Sequence, residues 1–448
     1  MRMGLWIVGV LGLAAGAATA RADVLTADRA VELALKHSAN VINADANVLG
    51  ARGNLYSAYS GVLPRVSAGY TRSGSLTEGA SGNQVFGSLV IPQTPSDRES
   101  YSTSPTLSGS WSILDLSAIT GLSSARSGLR AAQLRRTASR QDVALAARRQ
   151  FYEVVKAVRL ADVSSRALQL SRSEERRVRA LFEVGSVSKS DLLKAQVQTA
   201  QSQLDSLTAI DNVTVQRITL GTVIGVADRD FGDIDTTLSP NALVYDPAQV
   251  LDEASKNRPD LKAAELELKS ANAALASANL ARFPSLSVNG SATYSPFSDT
   301  KVTEKDSTGA TVSFAAHNES DRQYGASIAL NWDLFSGMAI ESRIASAQAG
   351  VQRAKEVRDA AKRNLEGEVH QALLGQQEAI ERTRLVESAL ASSTENLKLT
   401  QEKYNVGSAT ILDLIDAQVQ LQRAESDEVS ALAALRVAEA VLDRVRGR

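Results

Sequence analysis

Two aspartates one helical turn apart, Asp413 and Asp416, stand in the stretch "YNVGSATILDLIDAQ" (Tyr404 to Gln418). Carboxylates at this spacing share one helix face, where they could divide acid and base work as in a glycosidase, or repel one another and attract cations. An earlier copy of the stretch, "FEVGSVSKSDLLKAQ" (Phe182 to Gln196), has Asp191 at the place of Asp413 and the basic Lys194 at the place of Asp416. Other chemistry is scarce. Cysteine is absent, which excludes a thiolate nucleophile or thiolate-bound zinc, and His37, His317 and His370 are too dispersed for a histidine metal site. Asp228, Asp230, Asp233 and Asp235 do not have the spacing of an EF-hand loop and read as a solvated segment. The acid pair sits on adjacent turns with no nucleophile, cofactor loop or cleft around it, so the chain reads as a non-enzyme without a cofactor. Basic and acidic residues number 49 and 50, which gives no electrostatic reason to expect a nucleic-acid partner.

The repeated stretch is a helical hairpin written twice. Gly185 and Gly407 stand just past long helical runs, where a left-handed residue ends a helix and glycine takes that conformation without steric cost. Ser188 and Thr410 follow as N-caps, each with an acid three positions on, Asp191 and Asp413. Asp416 has no capping duty; it reads as a solvated residue, a partner of Lys194, or a member of a carboxylate ring if several chains meet at their tips. The runs before the turns, Ala118 to Leu181 and Ala339 to Tyr404, lack proline and are rich in helix formers. Each predicts a helix of roughly 100 Å at 1.5 Å per residue. Shorter helices are predicted over Thr26 to Ser60, Pro259 to Ala281, Ser190 to Leu220 and Ile411 to Val445.

Four segments alternate with period two: Val66 to Ser73, Thr103 to Leu114, Leu286 to Ser295 and Gly325 to Phe335 (strands about 65–74, 103–115, 285–295 and 324–335). Such strands suit an outer-membrane apolar band of about 25 Å, with Tyr70, Trp111, Tyr294 and Trp332 at its interfaces, and equally a small soluble sheet packed on one side. The Gly/Ser/Thr/Asp-rich segments Gly74 to Ser102 and Pro296 to Gln323 read as external loops. Four strands cannot close a barrel, since single-chain barrels start at about eight, so membrane-spanning strands require several chains in one barrel. Export is predicted from Arg2, the apolar run Leu5 to Ala15 and the small-x-small Ala20-Arg21-Ala22, which make residues 1–22 a cleavable signal peptide. Without cysteine the mature chain is non-lipidated.

Pro64 and Pro284, Trp111 and Trp332, and Gly185 and Gly407 are spaced by 220 to 222 positions, the mark of an internal duplication. Residues 23–224 form the first repeat, 225–247 a turn-rich linker and 248–448 the second repeat.

The duplicated helix-strand-strand-helix halves, the two VGS hairpins, "NRPDL" (Asn257 to Leu261) and "LNWDLFSG" (Leu330 to Gly337) resemble the TolC-type outer-membrane efflux proteins over nearly all of the mature chain. The resemblance implies a mainly α fold with a β-barrel part. In such a homotrimer, four strands per chain form a twelve-stranded barrel embedded in outer-membrane lipid, continued through the periplasm of a Gram-negative bacterium by a tunnel of very long antiparallel helices. It implies passive conduction in a tripartite multidrug efflux or type I secretion system, with a periplasmic adaptor (membrane fusion) protein and an inner-membrane transporter as partners. Val184, Gly185, Ser186, Val406, Gly407 and Ser408 match the tips that meet the adaptor. Asp413 and Asp416 match the entrance constriction, and Asp191 and Tyr404 a pair holding it closed. The family's basic latch residue falls at Ala409, while Lys194 adds positive charge, and these two departures from the family pattern predict a looser, less cation-selective entrance. A periplasmic coiled-coil adaptor or scaffold is the alternative, and it should lack membrane-like strand pairs.

Overall fold

The computed structural model describes residues 24–79, 82–93, 96–227, 231–241, 245–296, 298–305 and 310–448. The expected signal peptide, residues 1–22, and Asp228 and Asp230 lie outside the described residues. The helices are α1 (Ala27–His37), α2 (Ala39–Ser60), α3 (Leu116–Glu183), α4 (Lys189–Ile224), α5 (Pro247–Asn257), α6 (Pro259–Leu280), α7 (Ala339–Asn405) and α8 (Ile411–Val445). The long runs are unbroken over 68 and 67 residues in α3 and α7. The one helix expected over Thr26 to Ser60 is two, parted at Ser38, whose backbone is extended while its N–H still bonds the Ala34 carbonyl at 2.8 Å. Helix α5, absent from the sequence reading, ends the same way 220 positions later. There Arg258 is extended, as a residue before proline tends to be, and bonds the Ala254 carbonyl at 3.1 Å. The duplication therefore reaches the helix breaks.

Two compact units each draw on both halves of the sequence. One contains α1, α4, α5 and α8 with the hairpin ends of α3 and α7. Its main core joins Ala30, Ala34 and Val41 to Val143, Ala147, Phe151 and Val154 of α3 and to Leu220 and Ile224 of α4. Alanines at these contacts let helices approach closely. The "NRPDL" motif has a structural role here: buried Arg258 bonds Glu368 of α7 at 2.5 Å, and Arg444 of α8 joins Glu368 at 2.7 Å and Asp142 of α3 at 2.9 Å. The linker is anchored rather than merely solvated. Phe231 is buried in the core, Ile234 bridges Leu25, and the Arg436 guanidinium bonds the Asn241 carbonyl at 2.7 Å. Asp235 accepts from the Thr237 N–H at 3.0 Å, a local turn.

The other unit holds the sheet. Its strands β1 (Arg65–Glu78), β4 (Ser96–Leu114), β5 (Ser285–Ser295) and β8 (Asp321–Asn331) pair antiparallel in that order. The segments expected as external loops are largely strand. β1 and β4 run past their expected ends, β2 (Gly82–Phe86) pairs with β3 (Leu89–Gln93), and β6 (Ser298–Lys305) pairs with β4 and with β7 (Thr311–Asn318). The added ends of β1 and β4 carry hydroxyls rather than hydrophobes at their alternating positions. Ser73 and Ser102 lie 2.7 Å apart across the strands, and Ser75 and Ser100 lie 2.8 Å apart, pairs that hold a ladder without an apolar signature. β8 stops at Asn331, short of Phe335, where the chain turns through Gly337 and Met338, both at positive φ.

The two sheet faces differ in their side chains. Val66, Tyr70, Leu107, Trp111, Tyr294, Tyr324, Ile328 and Leu330 share one face and are 40 to 75 % exposed. The opposite face carries Ser67, Ser108, Ser110, Thr106, Asn289, Ser291 and Ser327. Trp111 and Trp332 also lock the sheet to the preceding helices, donating from Nε1 to the Val62 and Arg282 carbonyls at 3.0 and 3.1 Å.

Candidate functional site

Both hairpins close as the residue types require. Gly185 and Gly407 adopt φ +78 and +75, and a side chain at either would meet no atom within 4 Å, so glycine serves backbone conformation there rather than packing. Val184 and Val406 project 74 and 80 % exposed beside them. Ser186 and Ser408 return their N–H groups to the Leu181 and Lys403 carbonyls at 2.8 and 2.9 Å, fixing the turns.

Thr410 and Asp413 form a full capping box: the Asp413 N–H donates to Thr410 Oγ1 at 3.2 Å, and the Thr410 N–H donates to Asp413 Oδ2 at 2.8 Å. The Thr410 hydroxyl bond holds the Asp413 carboxyl below the usual range. Ser188 caps α4 through its side chain, accepting from the Asp191 N–H at 3.2 Å and donating to its carboxylate at 2.7 Å. That hydroxyl bond, with help from Lys194, also lowers the Asp191 pKa. Lys194 Nζ lies 3.3 Å from Asp191 Oδ1, an ion pair within its own hairpin. Asp416 accepts from Gln420 Nε2 at 2.7 Å. It does not pair with Lys194 here; of the two tip acids, Asp413 carries the cap and Asp416 is the one without that duty.

Tyr404 and Asp191, expected as a closing pair, make no hydrogen bond with each other: the Tyr404 hydroxyl is buried and unbonded. Its ring joins a tip core of Val178, Ala195, Ile411 and Leu414, with Leu397 alongside, which gathers side chains of α3, α4, α7 and α8. The Arg177 guanidinium lies 5.2 Å from the ring centre and also bonds Asn405 Oδ1 at 2.5 Å. Burial raises the Tyr404 pKa, and the Glu174 charge adds to that.

The sequence reading missed a buried polar group above this core. Glu174, one turn before Val178 on α3, has a buried oxygen without a partner, and its other oxygen stands 3.9 Å from Arg177. Gln418 Nε2, one turn beyond Leu414 on α8, is likewise buried and unbonded. The available signal was a carboxylate and an amide at i−4 and i+4 of the apolar positions, inside the stripe and not beside it. Burial raises the Glu174 pKa, opposed by Arg177. The native tip therefore holds this proton above the ordinary 4.5, and stability falls as pH rises from there through the raised value. Asp191 and Asp413 act in the opposite sense, with lowered values whose contribution is present above 3.8 and lost as pH falls through the native values. Glu174→Gln should raise the protection of tip-core amides, relative to their intrinsic exchange rates, at neutral pH and flatten the dependence of that protection on pH above about 4.5. An unchanged profile would remove Glu174 from the account.

Among the described residues no group of three or more acidic or histidine side chains could hold a metal ion, and no helix is long and apolar enough to cross a membrane.

A family model described as outer membrane efflux protein matches residues 15–226 and 250–448. Nodulation protein T of Rhizobium leguminosarum bv. trifolii is 25% identical over 269 residues, which cover 57% of this chain and 54% of that protein. The match thus spans about half the length of this curated relative. Among solved structures, the Vibrio cholerae outer membrane protein VceC superposes with a TM-score of 0.73 at 18% identity, covering 94% of this chain and 96% of that one. The open state of the Neisseria gonorrhoeae MtrE outer membrane channel gives 0.72 at 20% identity, with coverages of 94% and 88%. A Pseudomonas aeruginosa membrane protein gives 0.74 at 18% identity, with coverages of 94% and 90%. At these identities the structural likeness concerns the fold.

Proposed function

The chain belongs to the outer membrane efflux protein family, and from that premise we propose that it is the outer-membrane channel-tunnel of a tripartite efflux or type I secretion system. Three copies conduct substrate passively from a periplasmic adaptor and inner-membrane transporter to the exterior of a Gram-negative cell, after removal of residues 1–22. The observation that carries this reading is the sheet with an uncovered apolar face and a hydroxyl-lined opposite face. A soluble sheet hides its apolar face on a core; here the aromatic and aliphatic side chains remain 40 to 75 % exposed, which suits lipid. Among the described residues of the four-strand part, β1 pairs with β4 alone and β8 with β5 alone. Open edges are not tolerated in hydrocarbon, and three chains of four strands supply a twelve-stranded closure. A second uncovered surface supports assembly: Leu193, Val197, Leu204, Leu207, Val215 and Ile218 of α4 recur at helical spacing and are all more than half exposed. A periplasmic adaptor or scaffold has no use for the lipid-facing sheet.

In this reading Asp413 and Asp416 constrict the tunnel entrance. Val184, Gly185, Ser186, Val406, Gly407 and Ser408 meet the adaptor, the two valines being its apolar handholds, and Tyr404 holds the entrance shut through packing on the tip core rather than through a bond to Asp191. The test is fractionation with cross-linking. The protein should stay with the outer membrane after a high-salt wash and cross-link to trimers; release by salt as a soluble monomer contradicts the proposal.

A further inference from the structure

On the polar face of the sheet, one rung across four strands reads Arg65, Ser110, Asn289 and Ser327. The next rung adds Ser67, Ser108 and Ser291, and together these residues line an open hollow of about 380 Å³. Every polar side chain in it can donate a hydrogen bond, and one is a permanent cation. Among the described residues Arg65 has no carboxylate partner, whereas Arg135 and Arg282 in the same unit pair with Glu267 and Glu341. The carboxylates nearest along these strands lie elsewhere. Asp115, just past β4, accepts from the Ala118 N–H at 2.9 Å and so caps α3; Asp333 follows the end of β8; Asp321 is six residues from Ser327, about 20 Å along the strand. The arginine is not a requirement of the strand, because its counterpart in the second repeat is Ser285, also the first residue of its strand.

Resting on the channel reading above, we propose that Arg65 forms a three-fold cationic ring at the helix-proximal end of the barrel lumen, and that this ring selects for anionic solutes, carboxylates and phosphates among them. Chloride is the smallest probe of that chemistry. A cation focused by a narrow, low-dielectric wall concentrates counter-ions, while the serine and asparagine donors beside it can solvate an oxyanion passing through. An arginine turned instead toward lipid headgroup phosphates would leave ion permeation untouched.

The experiment is the reversal potential of single channels of the full-length mature protein in a potassium chloride gradient at low ionic strength, where screening is weak. Arg65→Glu should lower the chloride-to-potassium permeability ratio by about tenfold, the lower end of the effect of a charged cleft on local ion concentration. Arg65→Ser, the residue of the second repeat, should lower it less, and Arg65→Lys should keep it. Normal conductance steps with an unchanged ratio in Arg65→Glu overturn the ring while leaving the channel reading intact. Absence of steps from the inserted wild-type protein overturns both.

Discussion

Ile328→Arg should abolish stable outer-membrane assembly. Ile328 lies two residues from the middle of β8 on the apolar face, opposite Val288, which in turn opposes Trp111. An arginine at a lipid-facing barrel position costs about 2–4 kcal/mol near the bilayer midplane, and the proposed three chains per barrel would multiply that penalty. Its sequence neighbour Ser327 lies on the hydroxyl face, so Ser327→Arg should assemble normally and alter only permeation. Two adjacent substitutions with opposite outcomes distinguish a lipid-facing sheet from a soluble one, where burial and not face decides. The readout is the trimer recovered from salt-washed outer membranes; equal recovery of both variants contradicts the assigned faces.

Leu414→Ala should loosen the tip core by about 2–5 kcal/mol, the range for truncating a fully buried leucine whose neighbours cannot collapse around the gap. Leu414 is fully buried in the cluster where the second hairpin's Ile411 and Leu414, both on α8, meet the first hairpin's Val178 on α3 and Ala195 on α4. Hydrogen exchange should accelerate at the hairpin ends and remain unchanged in the sheet. On the channel proposal the resting conductance should rise, because a helix pair freed from its neighbour can splay at the proposed entrance. Leu412→Ala removes a leucine that is 60 % exposed and should shift stability by no more than about 0.5 kcal/mol. Equal effects of the two variants would mean that the core does not hold the tip.

Much of this was readable from the sequence. The long helices carry no proline and end at glycine with a capping acid beyond the turn, local signals that do not depend on the rest of the molecule; α8 spans Ile411–Val445 as expected. The strand cores were legible where hydrophobes alternate, as in Leu286, Val288, Ala292 and Tyr294. They were not legible where serine faces serine, as with Ser75 and Ser100, because hydroxyl pairing has the composition of a loop. The break at Ser38 also gave no warning, since neither proline nor glycine marks it. At the tips, the capping roles of Asp191 and Asp413 followed from spacing, whereas the Glu174, Arg177 and Tyr404 cluster depends on which faces of two distant helices meet.

The most direct measurement is single-channel conductance of the purified mature protein in planar bilayers, beside Asp413→Ala/Asp416→Ala. The channel account predicts discrete steps from both proteins, with a smaller share of cation current in the double variant. No steps from either protein, with folding and insertion verified, would contradict it and leave the two aspartates as helix-end chemistry.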